Sequence, residues 1–304
     1  MQFNLITILG PTAVGKTSLA AKLAKHFNGE IISADSRQVY TGLDIGTGKD
    51  LADYTIDGIT IPHHLVDVVF PHEEFNLFLF NKLFYRAFSA IEASNKIPFL
   101  VGGTGLFLHS ILKRYDLAEV DFNSERYDEL NSMELEQLLN LLEKINPALH
   151  NTTDLLLKER VIKAIIVSEA SPPTERMDKK NINSLVIGVN MVREEIKKSI
   201  TKRLKQRLEE GMIEEVKRLI DNGVSYEKLI FWGLEYKFVG MYLHGELNYN
   251  DMFQKLNSSI HKFAKRQMTW FRKMEREGID IHWLEGPDYN AAVDIIEKNY
   301  FTKA

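Results

Sequence analysis

Polar and apolar positions follow two rhythms along this chain. Short, nearly unbroken apolar runs occur at 3–9 (FNLITIL), 30–35 (EIISAD), 63–69 (HHLVDVV), 96–102 (KIPFLVG) and 183–190 (NSLVIGVN). Each has strand length and several β-branched residues, so the pattern predicts five buried strands. Between them the period changes. Leu19, Leu23 and Phe27 recur at helical spacing within 16–27, and 76–95 reads as a helix between the third and fourth strands. Strands alternating with helices predict an α/β fold with a parallel sheet covered on both faces.

The stretch 119–180 breaks that alternation. Helical patterns at 125–145 and 154–170 have no strand between them, and a polar run, SPPTERMDKKNIN (171–183), follows. We therefore expect a catalytic core from 1–118 and 181–304, interrupted by a mostly helical insertion at 119–180. Past 190 the rhythm is helical again, at 193–210, 212–222 and 250–277. There is no internal repeat and no low-complexity tract.

Composition narrows the picture without deciding it. The chain has 304 residues, with 44% hydrophobic and 26% charged, the balance of a soluble globular protein. No window approaches the apolar length of a membrane span. The first residues lack the basic region and cleavage site of a secretory signal and read as a strand. With no cysteine, disulfides and cysteine-ligated metals are excluded, which fits a reducing, cytoplasmic setting. A net charge of −4 requires any nucleic-acid partner to be met by a local basic patch. The nine histidines show no metal-ligand spacing. A monomer is the expected state.

The chemistry begins at 10–17. Gly10, Pro11, Thr12, Ala13, Val14, Gly15, Lys16 and Thr17 spell G-x-x-x-x-G-K-T between a predicted strand and a predicted helix, the setting a phosphate-binding loop needs. The glycines let backbone N–H groups converge on an anion, and the helix N-terminus adds partial positive charge. Lys16 would reach outer phosphoryl oxygens and Thr17 would sit on Mg²⁺. The motif specifies phosphate but not which one, since a diphosphate satisfies the same groups as ATP. Asp35 ends the second strand at the sheet edge where ligands bind. A carboxylate there can be a general base, a metal ligand or a turn cap. Ser36, Arg37 and Gln38 follow it. Two further loops, TGLDIGTGKD (41–50) and VGGTGLFL (101–108, with Thr104), are expected at the same edge.

Taken in order, GPTAVGKTSLA, ISADSRQVYTGLDIGTGKD, PHHLVDV, VGGTGLFL and AKRQMTWFRK resemble the tRNA dimethylallyltransferases, or tRNA isopentenyltransferases. The likeness runs from about residue 3 to about residue 285, and the run DSRQVYTGLDIGT is its most specific part. The resemblance implies a P-loop NTPase-like core whose helical insertion grips the anticodon stem-loop. It implies transfer of a dimethylallyl group from dimethylallyl diphosphate to N6 of the adenine at tRNA position 37, in tRNAs reading codons that begin with U, giving N6-(dimethylallyl)adenosine and diphosphate. By the same resemblance the P-loop holds a diphosphate rather than a nucleotide, Asp35 acts on the N6 amine with Thr104 beside it, and Asp35, Ser36, Arg37, Gln38, Arg160, Arg266 and Gln267 meet tRNA.

The chain also departs from the family pattern. GTGK (Gly46 to Lys49) stands for GTAK. Ser199 replaces an arginine. An arginine expected near the diphosphate appears as Lys217, followed by Arg218, and Glu235 replaces the glycine of a G-Y-K motif. Lysine keeps the charge and loses the bidentate fork. The insertion looks shortened around 121–135, and no zinc-finger tail follows 285.

The residues suggest a mechanism. Loop N–H groups, Lys16 and Mg²⁺ on Thr17 stabilise the departing diphosphate, Asp35 takes the amine proton late, and Thr104 positions the amine or a phosphate oxygen. Two basic clusters, at 193–207 and 262–276, would meet the RNA backbone, whereas Trp270, Phe271 and Trp283 read as core. Three other readings stay open here: an isopentenyltransferase for free adenine nucleotides, a P-loop kinase for a small molecule, and a non-catalytic RNA-binding protein.

Overall fold

The computed structural model describes residues 3–122, 124–146, 155, 158–170 and 180–301. The chain forms two compact units, one from 1–114 with 180–304 and the other from 115–179.

The larger unit is built on a six-stranded sheet. Its strands are β1 (Leu5–Leu9), β2 (Gly29–Ala34), β5 (His63–His64), β6 (Ile97–Gly102), β7 (Ser184–Asn190) and β8 (Ile281–Glu285), in the order β5-β2-β6-β1-β7-β8. All five pairings are parallel. β1 is entirely buried, as expected of the middle of a sheet covered on both sides. One face packs on α2 (Leu77–Ala93), α3 (Gly105–Leu112) and the C-terminal part of α11 (Tyr249–Arg276), through Phe80, Phe84, Phe88, Leu108 and Phe271. The other face packs on α1 (Lys16–His26) and α12 (Tyr289–Ile296), through Leu19, Leu23, Ala292 and Ile296. A helical layer of α7 (Arg193–Glu209), α8 (Met212–Asp221), α9 (Tyr226–Trp232) and α10 (Leu234–Leu243) joins the N-terminal part of α11 around Trp232 and Tyr236.

The predicted strand at 63–69 is much shorter in the structure. Leu65 and Asp67 have positive φ, a conformation that breaks the ladder. After His64 only Val69 returns, as a single bridge to Tyr40. The pattern also missed β8, an edge strand whose sides are unevenly buried, and a hairpin, β3 (Thr55–Ile56) with β4 (Ile59–Thr60). That hairpin turns at Asp57 and Gly58, both with positive φ, and Asp-Gly between β-branched residues was a readable signal for it.

The smaller unit contains α4 (Glu125–Asn131), α5 (Leu135–Ile145) and α6 (Lys158–Glu169). Leu130, Leu138, Leu142, Val161, Ile162 and Ile165 form its own core. Arg126 grips the Glu169 carboxylate with two nitrogens, at 3.0 and 2.6 Å. The single helical pattern at 125–145 is divided at Glu134, which caps α5 reciprocally with Gln137. The polar run at 171–183 lies mostly outside the described residues. Among the described residues no helix is long and apolar enough to cross a membrane.

Phe84 has no exposed surface and stacks on Phe88 with ring centroids 5.8 Å apart. Phe84→Ala should therefore lower unfolding free energy by about 3–5 kcal/mol, measured by denaturant titration. A loss of only a few tenths would place the core elsewhere.

Candidate active site

The carboxyl ends of β1, β2 and β6 open into one cleft, lined by the first loop, the turn after β2, the 46–50 loop, Thr104 and side chains from α7, α10 and α11. β1 delivers the chain to the cleft floor and the sequence bends it there. A Cβ on Gly10 would lie 2.3 Å from the Val189 carbonyl oxygen, so only glycine fits between β1 and β7. Ala13 (φ 65) and Gly15 (φ 80) are left-handed. A left-handed residue beside the first turn of a helix gathers N–H groups into an anion-binding concavity. Lys16 opens α1, and its ammonium donates to the Pro11 carbonyl at 2.6 Å. Burial, and behind it the positive charge of Arg203, bring Lys16 from 10.5 down to about 7, with Asp35 pulling the other way. Thr17 lines the cleft beside it.

Asp35 sits just past β2 and lines the same cleft. Its Oδ1 accepts from the backbone N–H of Arg37 at 2.9 Å and of Gln38 at 3.4 Å, so the carboxylate caps its own turn. Among the described residues no hydrogen bond is recorded to Oδ2. Thr104, from the third loop, accepts the Ser36 N–H at 3.2 Å. The structure thus brings Lys16, Thr17, Asp35 and Thr104 to one edge from three separate loops.

The residues after Asp35 are committed to the protein. Arg37 pairs with Glu235 at 2.8 Å, lies 5.4 Å from the Phe263 ring centroid and abuts Gly233. Glu235, which departs from the family pattern in sequence, is therefore the partner of an arginine in the cleft. Gln38 donates to the Gly48 carbonyl at 2.9 Å and fastens the 41–50 loop. Gln267 reaches in from α11, accepting the Thr12 N–H at 2.8 Å and donating to the Gly103 carbonyl at 2.9 Å. Its amide clasps two loops at once, so it holds the cleft together rather than presenting free groups to a ligand. Arg266, its neighbour, is exposed over Phe263. Arg160 is exposed on α6 in the smaller unit.

Two expectations need correction. Lys217 does not face the cleft. It is exposed on α8, because Glu215 directs that helix's buried side toward the 41–50 loop. Arg203 and Arg207, expected on an RNA-facing basic surface, point inward. Arg203 donates to the Thr12 hydroxyl at 2.5 Å. Burial and then the charge of Arg207 lower Arg203 to about 10, opposed by Asp50, Glu235 and Asp35, so it stays cationic at neutral pH. The signal for their inward turn was the spacing of Arg203, Leu204 and Arg207 around buried Ile200, legible only once the helix has something to pack on.

The 41–50 loop is braced both from within and from distant elements. The buried Lys49 ammonium donates to the Tyr40 carbonyl at 2.9 Å and to Asp44 at 2.8 Å, and pairs with Asp67. The Glu215 carboxylate accepts the backbone N–H groups of Asp44, Ile45 and Gly46 at 3.2, 2.7 and 3.1 Å and the Tyr236 hydroxyl at 2.8 Å. Burial and then this carboxylate hold the Tyr236 hydroxyl well above its usual range. Among the described residues no cluster of three or more histidines, aspartates or glutamates could hold a metal ion.

Comparison with known proteins gives the family. The IPP transferase family model matches residues 38–274 and the isopentenyl transferase model residues 3–61. The chain is 52% identical over 286 residues to tRNA dimethylallyltransferase 1 of Geotalea uraniireducens, covering 94% of each chain. It is 48% identical over 302 residues to tRNA dimethylallyltransferase 1 of Syntrophus aciditrophicus, covering 98% and 99%. Among solved structures it is similar to the full-length tRNA isopentenylpyrophosphate transferase of Bacillus halodurans, with a TM-score of 0.68, 33% identity and 98% and 95% coverage. It is also similar to a eukaryotic dimethylallyltransferase acting on tRNA, with a TM-score of 0.76, 25% identity and 98% and 79% coverage.

Glu215→Ala strands three backbone donors and a buried hydroxyl. It should cost about 2–4 kcal/mol of stability, seen as a lowered Tm, and should expose the 41–50 amides to hydrogen exchange. Wild-type exchange in that segment would refute the anchoring role.

Proposed function

From a chain that belongs to the IPP transferase family, we infer the following reaction: it transfers the dimethylallyl group of dimethylallyl diphosphate to tRNA, at N6 of the adenine at position 37 in tRNAs that read codons beginning with U. The observation that carries this reading is the pairing, in one cleft, of a cationic phosphate cradle with a carboxylate placed to receive a proton. The cradle is the first loop with Lys16 and Arg203, and the carboxylate is Asp35. A kinase of this class would need further cations closing over a nucleotide. Here Arg37 is tied to Glu235 and the remaining cations lie on the diphosphate side.

The allylic C–O bond breaks as the exocyclic nitrogen attacks, and negative charge collects on the departing diphosphate. N–H groups of residues 13–17, Lys16 and Arg203 are fixed before that charge appears, which is what makes such donors effective. The adenine nitrogen is a weak base until the new bond forms, and then it becomes acidic. Asp35 accepts that proton through the oxygen outside its turn, while Thr104 orients the amine or a phosphate oxygen. Mg²⁺ fits the donor set. It takes oxygen ligands, few of them from protein, with substrate phosphates and water completing the shell. Thr17 would hold it, and it would neutralise leaving-group charge.

The target base must leave its stack, which costs less in a loop than in a duplex. Exposed Lys198, Lys202, Lys205, Lys262, Lys265 and Arg266 supply phosphate contacts in this reading, and the smaller unit, with Arg160, grips the anticodon stem-loop. The enzyme works as a monomer in the cytoplasm, where its tRNA substrate is.

Nucleoside mass spectrometry on unmodified tRNA incubated with the protein, Mg²⁺ and dimethylallyl diphosphate should show one prenyl group added to adenosine. Asp35→Asn should reduce kcat by about 10²–10⁴-fold. Prenylated AMP or ATP with untouched tRNA would move the protein to the free-nucleotide enzymes. The pH dependence gives a second test. Lys16 is largely neutral above its pKa of about 7, and a bound anion raises that pKa. Diphosphate binding at pH 8 should therefore take up as much as about one proton, which Lys16→Gln should abolish. Calorimetry in buffers of different ionisation heat measures this, and equal uptake in both proteins would refute it.

A further inference from the structure

We propose that Arg207 is a further ligand for the donor's diphosphate, seated in the cleft by Gly48. The inference rests on reading the cleft as a diphosphate site. Arg203 and Arg207 lie one turn apart on the same side of α7. Arg203 reaches the first loop through Thr12, and Arg207 stands behind it, close enough for its charge to act on Arg203. Arg207 is only 5% exposed, yet its Nε and Nη2 have no hydrogen-bond partner. The Asp50 carboxylate lies 3.8 Å from Nη2, beyond hydrogen-bond reach, and is itself half exposed. A guanidinium removed from water with open donors is costly unless an anion completes it, and its forked geometry suits phosphoryl oxygens.

Gly48 explains how this side chain fits. A Cβ at Gly48 would lie 1.6 Å from Arg207 Nη2, and the residue has φ +68. The loop that carries Gly48 is clamped by Gln38 and by Glu215, so it cannot retreat. The glycine of GTGK and the inward arginine are thus a matched pair. A diphosphate is a better occupant than an RNA phosphodiester because Arg207 extends the line from Lys16 through Arg203 within the cleft, whereas the RNA-facing cations of α7 are its exposed lysines.

Inorganic diphosphate with Mg²⁺ is titrated against the wild-type full chain, Arg207→Met, Arg207→Lys and Gly48→Ala, and KM is measured separately for dimethylallyl diphosphate and tRNA. Arg207→Met should weaken diphosphate binding by about 10- to 100-fold and raise the donor's KM with the tRNA KM unchanged. Its Tm should hold, since an apolar side chain replaces a buried charge. Arg207→Lys should fall between. Gly48→Ala keeps the charge but displaces the guanidinium, and it should weaken binding in the same direction even if Arg207→Met fails to fold. Wild-type diphosphate affinity in the folded variants, or a shift confined to the tRNA KM, would overturn the proposal. A wild-type protein that binds no diphosphate and prenylates no tRNA would instead overturn the reaction it rests on.

Discussion

Positive charge concentrated at the carboxyl edge of a parallel sheet is the constraint on which the rest of this molecule depends. Lys16, Arg203 and Arg207 line one cleft; burial and then the charge of Arg203 push Lys16 toward the neutral form, and burial and then the charge of Arg207 do the same to Arg203. Such an arrangement is unfavourable by itself. It persists because the surrounding structure over-determines it: β1 and α1 fix the lysine, and α7 fixes the arginines against a helical core. An anion would relieve the arrangement, and the proposed diphosphate, which gains negative charge as it departs, would relieve it most.

The cleft's other requirement is precise loops without regular structure to hold them. Each is fastened by a side chain from outside it. Gln267 of α11 joins the first loop to the Gly103 turn, Gln38 holds the Gly48 carbonyl, and Glu215 of α8 collects three backbone N–H groups of the 44–46 turn. Two of these anchors, Gln267 and Glu215, lie on helices after β7, so those helices hold the active edge together and are not merely packing. Two departures from the family pattern fit the same edge. Glu235 answers Arg37, and Gly48 makes room for Arg207.

Much of this was legible in the chain. Continuous apolar runs mark strands buried on both faces, and GPTAVGKT between strand and helix carries its own mechanism, because the turn needs glycine and a phosphate at the helix N-terminus needs a nearby lysine. Asp35 and Thr104 could be assigned to the cleft because strand ends in such a sheet meet there. Local sequence determined the sheet, the phosphate loop and the family resemblance, since these depend on neighbouring residues and on a repeating period. Only the tertiary structure decided that Lys217 faces solvent, that Arg203 and Arg207 face inward, that Gln267 is a clasp, and that 63–69 pairs only briefly. The reason is physical: which side of a charged helix turns inward, and which donor a buried amide meets, depend on partners far apart in sequence, and no local pattern records them.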